Sequence, residues 1–458
     1  MKAKLICTTY NENRPKTTTN NLYSVNDDGV ENAAINVYPD IEYQIIEGFG
    51  GALTEATAYT YSLMDTKTKE DFLDFYFNEE GNNYRFVRIP VDSCDFSLGH
   101  YAAVDNPNDT SLNTFSLKRD KKYIIPLLFD VEKHLGDKLQ IMLSPWSPPA
   151  FMKTNSKRNN GGTLLLEYKE MWANYLCRYI QEYRELGFCV SMVSIQNEPK
   201  AKQVWDSCLY TGNEEMEFLR DYFYPALSTH KLTDIQILIW DHNKERIIER
   251  ARQVITDETD SYITGLAFHW YSGDHFESLD IFNRQYPNKK LVFSEGCVEF
   301  SRFYDSDQLA NARMYIHDMI GNLNSGMNIW LDWNILLNEK GGPNHANNFC
   351  DAPIMYDDLK KKIVKKLSYT YIGHISRYIR QNAVRIGISR YTDSIDATAC
   401  KNTDGTVAII MMNRENSELP VNLRIGGHVF TIELPINSIS TVVIDIFDIS
   451  QNTVNIIK

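Results

Sequence analysis

Short apolar runs recur along the middle of this 458-residue chain, and most are followed by a longer stretch with apolar residues at helical spacing. The runs cover residues 45–50, 84–90, 139–144, 190–196, 235–240, 263–269, 290–294 and 327–331. Brief and bounded by turn residues, they read as buried strands. Helix signals fill the gaps. Asp65 or Thr66 caps a helix through Phe77 that stops at Gly81, and Ser116 caps another that stops at Gly136. An amphipathic run over 164–186 ends at Gly187, and residues 213–227, 244–255, 307–323 and about 360–379 continue the alternation. Eight strand–helix units in series predict an α/β fold, a closed (β/α)8 TIM barrel rather than an open doubly wound sheet.

The two ends of the chain have a different rhythm. Residues 1–46 are polar and rich in Thr and Asn, with brief alternating stretches and no helical pattern. Residues 384–446 alternate at period two, with turn signals at Asp404-Gly405 and Gly426-Gly427. Strands at both ends need partners, so the pattern predicts an attached β-sandwich built from both chain termini. The expected division is 1–46 for the first sandwich strands, 47–380 for the barrel and 381–458 for the rest of the sandwich.

Composition narrows the class of function. A net charge of −13 and a pI near 5.3 argue against nucleic acid or an anionic membrane surface as the main partner. The eight cysteines show no C-x-x-C pair and read as buried thiols. The first residues lack a signal peptide's apolar stretch, and no run of about 18 apolar residues occurs, so the expectation is a cytoplasmic protein without membrane insertion. Gly48-Phe49-Gly50-Gly51 does not fit the dinucleotide fingerprint. Ten histidines include no H-x-H or H-E-x-x-H, so neither a metal nor another cofactor is expected.

The chemistry collects at strand ends. Asn197-Glu198-Pro199 closes the fourth run and Ser294-Glu295-Gly296 the seventh. Pro199 stops the strand and biases Glu198 toward an extended backbone. Carboxylates at strand ends sit at the barrel mouth, and two of them suit acid/base and nucleophilic work on a glycosidic bond. The bland alternatives are a salt-bridging or loop-capping role for each glutamate, or a catalytically silent carbohydrate-binding protein. Six of seven tryptophans, Trp146, Trp205, Trp240, Trp270, Trp330 and Trp333, lie on or just after strand ends. They suit either sugar stacking or a crowded barrel rim.

Eight motifs in order carry a resemblance: Gly48-Phe49-Gly50-Gly51-Ala52, Ser93-Cys94-Asp95-Phe96-Ser97, Ser144-Pro145-Trp146-Ser147-Pro148-Pro149, Asn197-Glu198-Pro199, His269-Trp270-Tyr271, Ser294-Glu295-Gly296-Cys297, Trp330-Leu331-Asp332-Trp333-Asn334 and Gly341-Gly342-Pro343-Asn344. With them the chain resembles glycoside hydrolase family 30 in its glucosylceramidase-like branch. The resemblance implies a retaining β-glycosidase without a cofactor, Glu198 as acid/base and Glu295 as nucleophile. It also implies that Asp95, Trp146, Asn197, Trp333 and Asn344 hold the sugar, with His269 and Tyr271 beside the two glutamates. Asn197 can donate to a 2-hydroxyl, and the Asp95 carboxylate can accept two hydroxyls. The loop from Lys200 to Tyr210 and His345 depart from the lysosomal pattern, on the side that shapes the aglycone. The expectation is therefore hydrolysis of short soluble β-glucosides or β-1,6-gluco-oligosaccharides, against glucosylceramide, β-xylosides or β-fucosides as alternatives.

Overall fold

The computed structural model describes residues 1–445. Eight parallel strands form a closed barrel: β1 (Gly48–Ala52), β2 (Phe86–Val91), β3 (Gln140–Pro145), β4 (Cys189–Ser194), β5 (Gln236–Asn243), β6 (Ile263–His269), β7 (Lys290–Glu295) and β8 (Ile329–Asn334). Closure comes from β8 pairing with β1, Ile329 opposite Gly48 and Leu331 opposite Gly50. Gly50 is required there, because a Cβ on it would fall 1.9 Å from the Phe86 carbonyl oxygen of β2.

Helix signals resolve to within a turn in most places. Thr66–Phe77 is capped by Asp65, whose carboxylate accepts the Thr68 N–H at 2.8 Å. Ile124–Leu135 ends at Gly136 with φ of 67°, but it starts well after Ser116, behind a short 3-10 turn at Asp120–Lys122. Helices Glu55–Ser62 and Phe276–Gln285 have no counterpart in the sequence reading; both are short, and the first is too rich in Thr and Tyr to show an apolar stripe. The last expected helix shortens to Leu367–Ser376, because Lys362–Lys365 pairs instead with Ile354–Asp357 in a small sheet.

The sandwich draws on both ends of the chain. Lys2–Asn11 pairs with Arg14–Tyr23 on one side and with Ser438–Asp445 on the other. Ala34–Ile46 pairs antiparallel with Ala383–Ser389 and parallel with Leu419–Ile425, so it joins the two layers. Between the layers lies an apolar core that includes Ile35, Val37, Ile409, Leu423, Phe430 and Val442. The part of the expected domain beyond residue 445 lies outside the described residues.

What positions the site is the layering inside the barrel. Phe86, Met142, Met192, Leu238, Ala267, Val292, Ile329 and Leu331 fill its floor. Side chains alternate along a strand, so two residues further the same face presents Arg88, Ser144, Ser194, His269 and Ser294. In β5 that position belongs to Trp240, and a bulge intervenes. Trp240 and Asp241 take φ of 73° and 48°, and the pairing with β6 slips by one residue. The bulge sends Trp240 against Arg250 on the helix layer and turns Asp241 inward.

Candidate active site

Asp241 is the hub of the polar layer. Its Oδ2 accepts from Ser194 Oγ at 2.6 Å, Arg88 Nη2 at 2.9 Å and Ser144 Oγ at 3.2 Å. Its Oδ1 accepts from Ser294 Oγ at 2.6 Å and lies 3.2 Å from His269 Nε2. A buried carboxylate is tolerable only when so fully paired. Burial alone would raise its pKa, yet Arg88 and His269 hold it far below the ordinary carboxylate range.

Arg88 carries this layer up to the cavity. Its Nη1 donates to Glu295 Oε2 at 2.6 Å, and its Nη2 also donates to Asn197 Oδ1 at 2.8 Å. That second bond turns the Asn197 amide so that its NH2 is left to donate to a ligand. The guanidinium lies 4.7 Å from the Trp146 ring centre, and Trp146 stacks on Trp333 at 5.2 Å.

Glu295 ends β7 and accepts a second bond, from the Tyr271 hydroxyl at 3.0 Å. Burial pushes its carboxyl above the ordinary value, against the pull of His269 and Arg88. Both donors reach its two oxygens, one each. Glu198 is built differently. Its φ is 46°, a left-handed conformation and not the extended one that Pro199 favours. The bonds around it account for the difference: Glu198 N–H donates to the Asp241 carbonyl at 2.9 Å and Asn197 N–H to the Pro145 carbonyl at 2.8 Å. Glu198 Oε1 lies 3.5 Å from His269 Nδ1 and 3.7 Å from His242 Nδ1, while Oε2 accepts from Gln203 at 3.1 Å. His269, between Asp241 and Glu198 and facing Glu295, keeps its proton, with a pKa pushed up to about 9. Burial works against Glu198's charge, but the imidazoles and Gln203 hold that carboxyl down at about 2.

Both glutamates line one cavity of about 150 Å³, room for one sugar ring and little more. Asp95, Trp146, Asn197, Tyr271 and Trp333 line it too. Asp95 accepts from Asn348 at 3.2 Å and from Asn344 at 3.5 Å through one oxygen, and burial beside two glutamates raises its pKa to about 7. Two of the expected residues stand just behind the cavity lining, His269 beside Glu198 as expected and Asn344 against Asp95. His269 is fully buried beneath the cavity, and Asn344 shapes the loop after β8, accepting the Ala346 and Asn348 N–H groups. Asn348 lines the cavity instead. Of the strand-end tryptophans, Trp146, Trp205 and Trp333 face the cavity, whereas Trp240, Trp270 and Trp330 pack in the core between strands and helices.

Arg88, Asp241, His242, Gln203 and Asn348 are the residues the sequence reading passed over. Arg88 left a signal, a charge inside the apolar run Phe86-Val87-Arg88-Ile89. Asp241 left a weaker one, since only the bulge brings it inside.

Two family models match the chain: the glycosyl hydrolase family 30 TIM-barrel domain over residues 46–379 and the family 30 beta sandwich domain over 382–442. The lysosomal acid glucosylceramidase of Mus musculus is 32% identical over 409 residues, covering 85% of this chain and 79% of that protein. An endo-1,6-beta-D-glucanase, neg1 of Aspergillus fumigatus, is 26% identical, covering 87% and 84%. Among solved structures, SrfJ from Salmonella typhimurium superposes with a TM-score of 0.93 at 38% identity, covering 97% of this chain and 99% of that one. The endo-beta1,6-glucanase BT3312 superposes with a TM-score of 0.86 at 25% identity, covering 96% and 99%. With barrel, sandwich and paired glutamates in place, this chain belongs to glycosyl hydrolase family 30 and is a glycoside hydrolase.

Proposed function

We propose that the protein hydrolyses β-glucosidic bonds with retention, by double displacement. Glu295 attacks the anomeric carbon while Glu198 passes a proton to the departing glycosidic oxygen. Water then attacks the same carbon, Glu198 takes its proton, and the bond to Glu295 breaks. The observation that carries this reading is the contrast at one cavity. Glu295 is held by two donors, as a nucleophile must be, while Glu198 touches groups that exchange protons.

In the open site the proton for the first step rests on His269, with Glu198 ionised beside it. A sugar entering the cavity displaces water and lowers the local dielectric, which disfavours an imidazolium–carboxylate pair relative to its neutral form. Transfer across the 3.5 Å from His269 Nδ1 to Glu198 Oε1 neutralises both and arms the acid. Asn197 presents its NH2 to the 2-hydroxyl, Asp95 accepts outer hydroxyls, and Trp146 and Trp333 wall the ring.

Short soluble β-glucosides, including β-1,6-linked gluco-oligosaccharides, are the substrates we favour. The small cavity suits a single terminal sugar, and relatives named for 1,6-glucan hydrolysis support the linkage. The test is kcat/KM on gentiobiose, nitrophenyl β-glucoside, nitrophenyl β-xyloside and detergent-dispersed glucosylceramide. Glucosides should lead, since a site built to bond hydroxyls discriminates strongly against a substrate lacking one. A xyloside or the glycolipid in first place overturns the substrate reading and leaves the glutamates' roles standing.

A further inference from the structure

Beside the sugar cavity, three loops meet at His100, Asp206 and His345. They follow β2, β4 and β8, and their sequence separation conceals the grouping. His100 Nδ1 lies 3.0 Å from Asp206 Oδ2, His345 Nε2 lies 3.4 Å from the same oxygen, and all three donor atoms fall within 4.8 Å of one another. Tetrahedral ligands on a zinc-sized ion, each about 2.0–2.1 Å from it, sit about 3.3 Å apart. The cluster is close to that spacing.

The groups behind these atoms are arranged as a metal would need them. His345 Nδ1 is 3.1 Å from the Ser97 carbonyl, which accepts its proton and leaves the lone pair of the neutral ring on Nε2. Asp206 Oδ1 is already engaged by Arg158 Nε at 2.7 Å and Ser93 Oγ at 2.8 Å, which leaves Oδ2 to the imidazoles. Asp206 is fully buried at its side chain, whereas His100 is 44% exposed and offers an entry path. His345 Nε2 is buried and makes no hydrogen bond, although it faces a carboxylate oxygen. Facing lone pairs at 3.4 Å call for a cation between them, a proton in the metal-free site and the metal ion when it is bound.

We propose that His100, Asp206 and His345 bind one divalent ion of the zinc type, with water in the remaining position. Two imidazoles and a single carboxylate select zinc, cobalt, nickel or copper over magnesium or calcium, which demand more oxygen ligands. The Arg158 guanidinium on the far oxygen of Asp206 adds to that preference, because it weakens the purely ionic attraction on which hard cations depend. The ion would tie three mouth loops together. One of them carries Gln203, which bonds Glu198, and Trp205, which lines the cavity. Its role is therefore to order the mouth and not to touch the reacting bond.

The experiment titrates metal-free full-length protein with Co²⁺, following its visible absorption, and then displaces it with Zn²⁺ while recording Tm. We expect one equivalent of Co²⁺ in a low-coordinate site, displaced by Zn²⁺, with Zn²⁺ raising Tm by mass action. His345→Ala should lose the band and the Tm response. His100→Ala, which alters a half-exposed ring outside the sugar cavity, should weaken Co²⁺ at least tenfold and supplies the test if His345→Ala fails to fold. His242→Ala is the counter-test, since Glu198, His242 and His269 form a second three-donor group at the cavity. No Co²⁺ band in the unmodified protein overturns the proposal. So does a band that survives both loop variants, or one that only His242→Ala removes.

Discussion

Glu198 and Glu295 are the same side chain at the ends of two strands of one barrel, and their surroundings differ in kind. Bonded to Glu295 are an arginine, which cannot give up its proton, and a tyrosine hydroxyl, with His269 acting on it only through its charge. Around Glu198 stand two imidazoles and an amide. The first setting fixes a charge, and the second lets a proton come and go. In the double displacement we propose, the division of labour thus rests on neighbours supplied by β2, β5 and β6, not on the glutamates' own positions along the chain.

The largest effect should come from removing the fixed charge. Glu295→Gln should lower kcat on every glycoside by on the order of 10⁴-fold or more, because no nucleophile remains. Glu198→Gln should cost about 10²–10⁴-fold on substrates whose leaving group needs a proton. Dinitrophenyl glycosides, with leaving groups that need none, should keep a near-normal first step. Equal losses on both kinds of substrate would erase the contrast between the two glutamates.

Smaller changes sharpen it. In the mechanism we propose, His269→Asn removes the group that stores the open site's proton, so the alkaline limb of kcat/KM should move. In the unmodified protein that limb should fall as pH rises through about 9, where His269 is lost as a proton source. The acid limb should rise through about 7, as Asp95 ionises and can accept two sugar hydroxyls. An unchanged alkaline limb in His269→Asn would detach the histidine from the acid. The smallest effect is expected for Tyr271→Phe, which removes one of two donors to Glu295 and should cost about tenfold in kcat while leaving both limbs in place.

Which parts of this were legible in the sequence follows from how local each signal is. The eight strands and both glutamates could be read because buried runs and the breaks after them are local, as at Ile195-Gln196-Asn197-Glu198-Pro199. The sandwich followed from unpaired alternation at both ends. The polar hub at Asp241 could not be read, since it points inward only through a bulge at Trp240 and Asp241, and a period-two reading assigns that place to Trp240. Asn348 could not be read for a similar reason: the loop after β8 folds so that Asn344 builds the turn and Asn348 reaches the cavity. His100, Asp206 and His345 come from three loops, and no spacing in the chain connects them.

The most direct test of the double displacement is to identify where the sugar becomes attached. Incubation with a dinitrophenyl 2-deoxy-2-fluoro-β-glucoside, followed by peptide mass spectrometry, should find a single fluoroglucosyl ester on Glu295. A label on Glu198, on another residue, or on none while the substrate is still turned over would contradict the account.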